Sequence, residues 1–191
     1  MSNSQGPEAL EISETPDGEK TLRSVLGAIA AAFERNAQGQ RGGLSNGDMA
    51  ELRRISPDKP YTPALWRILL DFVPDGWVAG PDRDQKERQW ATLLMAMAIC
   101  AGQHDPYKRL GSALAEAGWS ELRFVRLLRA RDARLEAEVR RLSQYLSSKG
   151  TPANFGDLAQ LLFHQDGELA ENRRRQIARS YYRALHSLES K

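Results

Sequence analysis

The stretch Arg109–Leu142, RLGSALAEAGWSELRFVRLLRARDARLEAEVRRL, decides how this chain folds. It reads as three helical pieces. The first closes at Gly118, a residue that accepts the left-handed backbone common at a helix C-terminus. The second opens at Ser120, whose hydroxyl can accept a free amide of the first turn. The third opens near Asp132, another N-cap type whose charge suits the positive end of a helix. At about 100° per residue, Phe124, Val125, Leu127 and Leu128 fall on one side of the middle piece. Arg123, Arg126 and Arg129 fall on the other, within an arc of about 120°. One face is made for a core; the other presents guanidinium groups along an axis.

A helix face kept for solubility alone mixes Glu and Lys at i,i+4 spacing. Arg123–Arg131 instead holds four arginines with no lysine and no acid. The planar guanidinium fork matches phosphate oxygens and is weakly hydrated. The run therefore points to phosphate contact, against the plainer reading of a solvated face.

Composition agrees. Of 27 basic residues 21 are Arg, and the formal net charge is +2. Residues 1–20 carry five acids against one lysine, so the rest of the chain is more basic than the total suggests. Such a balance favours a polyanionic partner over an acidic small molecule. The 191 residues suffice for one domain or two small lobes. The first twenty, rich in Ser, Pro, Gly and Glu, read as a disordered acidic tail rather than a signal peptide. One cysteine, Cys100, excludes an intrachain disulfide. No stretch has the apolar length to span a bilayer. These features point to a cytoplasmic protein.

Working outward, Leu22, Val25, Leu26, Ile29 and Phe33 mark a helix that fades into the Gly-rich loop NAQGQRGGLSNG. Asp48 can cap the short helix DMAELRRIS, which ends with Arg53 and Arg54. Those two arginines complement the helix dipole, and equally could meet phosphate. ALWRILLDFV offers Trp66, Leu69, Leu70 and Phe72 to the core, with Trp77 in the loop beyond. ERQWATLLMAMAICA is apolar nearly all round and belongs at the centre of a bundle. Phe155–Phe163 reads as a short helix, and HQDGELAEN as a polar link. In the last helix, RRRQIARSYYRALHSLE, the inward stripe is Ile177, Tyr181, Leu185 and Leu188. Arg175, Arg179 and Arg183 step by four beside it, a second arginine ladder. No period-two strand appears. The expected fold is all-α: a compact bundle of about eight helices over residues 21–191, with lobes 21–105 and 106–191 as one arrangement.

Enzyme signals are thin. Cys100 and His104 could share a helix face, but nothing supplies the remaining ligands of a zinc site. His104-Asp105 lacks the other ligands of a metal-dependent phosphohydrolase, and His164 and Asp166 have no nucleophile beside them. There is no glycine-rich phosphate loop, GxSxG or HExxH. The reading is non-catalytic, with no cofactor, no metal and no small-molecule substrate. A helix-turn-helix regulator using the helix at 120–130 is the rival. That face lacks the Asn and Gln that bond adenine edges, so it suits backbone contact better than base reading.

With these residues in view, the chain resembles the CasB family, the small subunit of the type I-E CRISPR surveillance complex Cascade. The segments that carry the resemblance are MAELRRIS, PALWRILLDFVPDGW, RLGSALAEAGWSELRFVRLLRARD and EAEVRRL, in that order, within a match from about Thr21 to Leu188. The resemblance implies an all-helical, non-catalytic subunit. Two copies would pack beside the backbone and large subunits and steady an opened target (R-loop) by contacts to the guide RNA–target DNA hybrid and the displaced strand. The family's basic positions fall on Arg53, Arg54, Arg123, Arg129, Arg140, Arg141 and Arg175, with Arg88 less securely aligned. Arg126, Arg131 and Arg179 join them from this chain's own ladders. Two departures stand out: the acidic extension at 1–20, and Ser112 where some relatives carry a basic residue, with Arg109 nearby. A pure protein–protein scaffold and a free-standing DNA-binding regulator are the alternatives.

Overall fold

The computed structural model describes residues 20–40 and 44–190. The acidic tail, apart from Lys20, and residues 41–43 of the Gly-rich loop lie outside the described residues. Ten helices and no strand are found among the described residues, two more helices than the sequence pattern suggested.

Helix α1, Leu22–Ala37, opens at a reciprocal cap in which Thr21 and Ser24 each accept the other's backbone N–H. Its stripe from Leu22 to Phe33 is buried as expected. Helix α2, Asn46–Arg53, is capped by Ser45 rather than by Asp48. Asp48 sits at the third position, returns a bond to the Ser45 amide at 3.0 Å and pairs with Arg67. Helix α3, Pro63–Phe72, uses Thr62 as cap and Pro63 where its missing N–H costs nothing. It buries Ala64, Leu65, Ile68 and Leu69. Trp66 and Leu70, expected inside, are 37% and 77% exposed. They form an i,i+4 pair on the far side of the helix, and Tyr61 stacks on Trp66 at 5.6 Å.

Helix α4, Asp75–Val78, is a single turn where a loop was expected. Trp77 on it packs nearly parallel to Trp90, 6.4 Å away. Trp90 belongs to α5, Arg83–Ile99, whose residues Gln89 to Ala98 are all buried. This is the central helix the sequence called for, enclosed by α2, α4 and two later helices.

Helix α6, Leu110–Glu116, ends as read. Gly118 has φ +80°, and the amides of Gly118 and Trp119 return to Ala115 and Leu114. Helix α7, Glu121–Arg129, begins at Ser120, but that hydroxyl makes no capping bond. Helix α8, Asp132–Lys149, is preceded by Arg131 at the cap position, so Asp132 is its first residue and not its cap. Asp132 has φ +48°, a region Asp tolerates better than most residues, and its amide donates to Gln165 Oε1 at 2.6 Å. Helix α9, Phe155–Phe163, matches the expected span. Helix α10, Gly167–Glu189, takes in most of the segment read as a polar link. Its stripe buries Ala170, Arg174, Ile177 and Tyr181, while Leu188, expected inside, is 44% exposed near the free end.

Helices α6 and α10 meet most closely at Gly111. A methyl there would press on the Ile177 carbonyl, the Ser180 hydroxyl and the Tyr181 amide, the last at 2.7 Å. One continuous core runs from Leu22 to Tyr181 and draws side chains from nearly every helix.

Candidate nucleic-acid interface

The middle helix of the opening stretch is anchored by its apolar face. Phe124 and Leu127 are buried, and Phe124 stacks on Tyr181 of α10 with ring centroids 3.8 Å apart and planes 7° from parallel. Val125 and Leu128 are half-buried. The opposite face therefore has to point outward, and Arg123, Arg126 and Arg129 are exposed, as the periodicity required.

After the short turn at Ala130–Arg131 the chain reverses into α8. Trp119 meets Tyr145, and Arg126 meets Glu138, an antiparallel pairing. Between the two helices runs a groove of about 430 Å³. Arg126 and Arg129 line it from α7, Arg134 and Arg141 from α8, and Ala130, Ala133 and Ala137 keep it open by their small size. Glu138, 4% exposed, is the one acid on its wall. Its Oε1 accepts a hydrogen bond from Arg141 at 2.6 Å and forms an ion pair with Arg126 Nε, 3.0 Å away. Each guanidinium keeps its remaining N–H groups for another acceptor, since arginine has five donors. Arg129 and Arg134 have no side-chain partner among the described residues. Beyond Arg126, Arg123 lies over the Trp119 ring at 5.3 Å, and Lys149 lies over Tyr145 at 5.7 Å.

A second basic cluster borders the first. Arg88 of α5 and Arg140 of α8 line a recess of about 130 Å³ with Glu136, and Ala137 borders both this recess and the groove. Arg140 donates to the carbonyls of Arg53 and Ile55 at the end of α2, and Arg53 Nε donates to Ala98 O at 2.9 Å. Arg54 is exposed. Burial pushes the Glu136 carboxyl above its ordinary range, with nearby Asp132 adding to the effect and Arg88 opposing it.

On α10 the three consecutive arginines have three fates. Arg173 is half-buried; Arg174 is buried, with Nε donating to Leu128 O at 3.1 Å and another nitrogen to Gln165 O at 2.8 Å; Arg175 is exposed. Arg175, Arg179 and Arg183 make the exposed ladder read from the sequence. Arg131 is engaged locally, bonding the carbonyls of Leu128 and Ala130 and facing Glu171. The geometry thus gathers Arg126, Arg129 and Arg141 in one groove, with Arg88 and Arg140 beside it and Arg53 joined to Arg140 through its carbonyl. Arg175 and Arg179 stand on a separate helix. Ser112 is turned toward α10, where its hydroxyl donates to Ser180 O at 3.2 Å, and Arg109 is paired with Asp157.

Sequence reading overlooked Arg134, Lys149 and Glu138. Arg134 was available, since it follows Arg131 by one helical step. Glu138 lies three residues from Leu135 and four from Leu142, so its place beside the buried stripe was legible too. Among the described residues no group of three or more His, Cys, Asp or Glu is placed to hold a metal, and no helix is long and apolar enough to cross a membrane. His104 serves the fold: its Nδ1 accepts the Phe155 amide at the start of α9.

An all-α body with an arginine-lined groove and recess places the chain among helical proteins with basic surface channels. Comparison narrows it. The family model for CRISPR-associated protein Cse2 matches residues 48–182, well over half the chain, so this chain belongs to the Cse2 family. The resemblance read from the sequence is thereby borne out. Similar solved folds include a chain in E. coli Cascade bound to a PAM-containing dsDNA target, at 21% identity and TM-score 0.62, covering 84% of this chain and 96% of that one. CasB from Thermobifida fusca matches at 21% identity and TM-score 0.58, covering 82% and 97%. CasB from Thermus thermophilus matches at 21% identity and TM-score 0.59, covering 82% and 96%. No curated protein sequence matches the chain.

Proposed function

We propose that this protein is a non-catalytic subunit of a Cascade-type RNA-guided surveillance complex, holding opened target DNA by sequence-independent contacts. The observation that carries the reading is the groove between α7 and α8, where Arg126, Arg129, Arg134 and Arg141 converge on one channel. Displaced single-stranded DNA re-pairs with its complement unless something holds it. Arginines that neutralise phosphates without touching base edges can hold any target. Sequence choice is then left to guide pairing. Arg88 and Arg140, with Arg53 beside Arg140, extend the same surface past Ala137; exposed Arg54 follows Arg53 in the chain, and Arg175 and Arg179 supply a second ridge. The partners are the other subunits of the complex, the guide RNA–target hybrid, the displaced strand and a second copy of this chain.

The test is an assembled complex carrying Arg123, Arg126 and Arg129 replaced by Ala. The lifetime of the opened target should shorten, and its dependence on salt should weaken. An unchanged lifetime and salt dependence, in a folded and fully assembled variant, would overturn the reading.

A scaffold role has one specific observation in its favour, the exposed face of Tyr61, Trp66 and Leu70 on and before α3, since exposed aromatic residues are enriched in protein–protein contacts. On that reading Trp66→Ala disrupts assembly while arginine variants leave target retention intact.

A further inference from the structure

Where α10 touches α7 lies a feature that phosphate neutralisation does not use. Tyr182 is 41% exposed on α10. Three residues before it stands Arg179, seven before it Arg175, and Arg183 follows, so the ring shares the face of that ladder. Its hydroxyl donates to Glu121 Oε1 of α7 at 2.8 Å. Its ring stands nearly perpendicular to Phe124, at 6.1 Å, and to Tyr181, at 5.3 Å. The ring is therefore fixed by a hydrogen bond at its tip and by two edge contacts, and neither neighbour stacks on it.

The residue after Glu121 is Leu122, 80% exposed. It lies four residues before Arg126 and seven before Arg129, at the middle of the arginine face of α7. A large apolar side chain there gains nothing from phosphate and is out of place on a face kept for solubility. The bond to Glu121 ties the ring to the residue next to Leu122, and each side chain stands on a helix face that also carries exposed arginines, so the two are the apolar members of a basic surface, a strip in outline.

We propose that Tyr182 and Leu122 form a platform for unpaired nucleobases, so that this surface binds single-stranded nucleic acid in preference to duplex. Every base has an apolar π-face, so stacking on a tyrosine is sequence-tolerant, and it is open only to strands whose bases are not already paired. The flanking arginines select a polyanion as the occupant and orient its backbone, which leaves the bases to meet the strip. A pre-fixed ring loses little rotamer freedom on contact, which favours the platform. The inference rests on the proposed nucleic-acid function and adds the kind of strand it serves.

The test uses the full chain and three fluorescent probes of equal length: oligothymidylate, the same strand with abasic sites throughout, and random duplex. The wild-type protein should bind oligothymidylate more tightly than the abasic strand, by about 5- to 150-fold if one base stacks. Tyr182→Ala should remove most of that difference and leave abasic-strand affinity unchanged. Tyr182→Phe, which loses the Glu121 bond but keeps the ring, should retain it, and Leu122→Ser should reduce it. Equal wild-type affinity for thymidylate and abasic strands would overturn the platform, as would a Tyr182→Ala variant that keeps the difference. Loss of pairing between copies or of complex assembly in Tyr182→Ala and Leu122→Ser, with base preference intact, would assign the strip to a protein partner instead. The arginine variants serve as the control for the underlying reading: if they leave abasic-strand binding unchanged, the assignment of phosphate contact to these arginines fails, independently of the platform.

Discussion

Arg126 Nε forms an ion pair with Oε1 of Glu138 at 3.0 Å, and the same oxygen accepts a hydrogen bond from Arg141 at 2.6 Å. A buried acid thus ties the two walls of the basic groove together. It also places a negative charge where a phosphate is expected. At about 5 Å in water a unit charge pair is worth about 0.8 kcal/mol. Glu138→Gln keeps the shape and an acceptor and removes that repulsion. Affinity for a single strand at low salt should therefore rise about fourfold, while melting temperature falls slightly because charge-assisted bonds become neutral ones. Fluorescence anisotropy and calorimetry on the variant check both, and an unaltered affinity would show that phosphate does not enter the groove.

Gly111 is where α6 meets α10. Gly111→Ala places a methyl against the Ile177 carbonyl and the Tyr181 amide, backbone atoms that cannot move without shifting α10. The expected cost is about 1–3 kcal/mol of stability. Thermal melting measures it directly, and Gly27→Ala, whose added methyl meets nothing within 4 Å, is the control.

Cys100 is buried, with its thiol donating to Ser143 O at 3.1 Å, and burial pushes its pKa up to about 12. The thiolate is the reactive form. The folded protein should give no reaction with an aromatic disulfide reagent at pH 8, and one thiol per chain should appear in guanidinium. Rapid labelling of the folded chain would contradict the buried placement.

His104 and His164 are both held below their ordinary pKa, chiefly by burial. Asp105 and Glu34 oppose the shift at His104, while Arg23 adds to it, and Arg173 adds to it at His164. The unfolded chain then takes up protons near 6.5 that the folded chain refuses. Stability from these residues is complete above that value and is lost as pH falls toward the folded pKa values. The melting temperature should therefore drop between pH 7.5 and pH 5, and His104→Asn with His164→Asn should flatten that decline. A profile level over this range would refute the burial of both rings.

Much of this was legible beforehand. The period of Phe124, Leu127 and the intervening arginines required one buried and one exposed face on α7, and both are found. Gly118 ends α6 because only the backbone is involved there. What escaped depended on tertiary neighbours. Trp66 and Leu70 are apolar, yet among the described residues no helix covers their side of α3. Gly167 and Glu168 read as linker but open α10. The run Arg173–Arg175 gives no outward clue that Arg174 caps two carbonyls, although its spacing to Ala170, Ile177 and Tyr181 places it on the buried stripe. The exposed ladder was visible, and Arg131's bonds to the end of α7 were not.

The groove's role is tested most directly by the salt dependence of single-strand binding. Each phosphate contact contributes about 0.7 to the slope of log K against log salt for a single strand. Replacing Arg126, Arg129 and Arg141 together by Ala should reduce the slope's magnitude by about 2 and weaken binding alike for every sequence. A folded triple variant with the wild-type slope would mean that nucleic acid passes elsewhere.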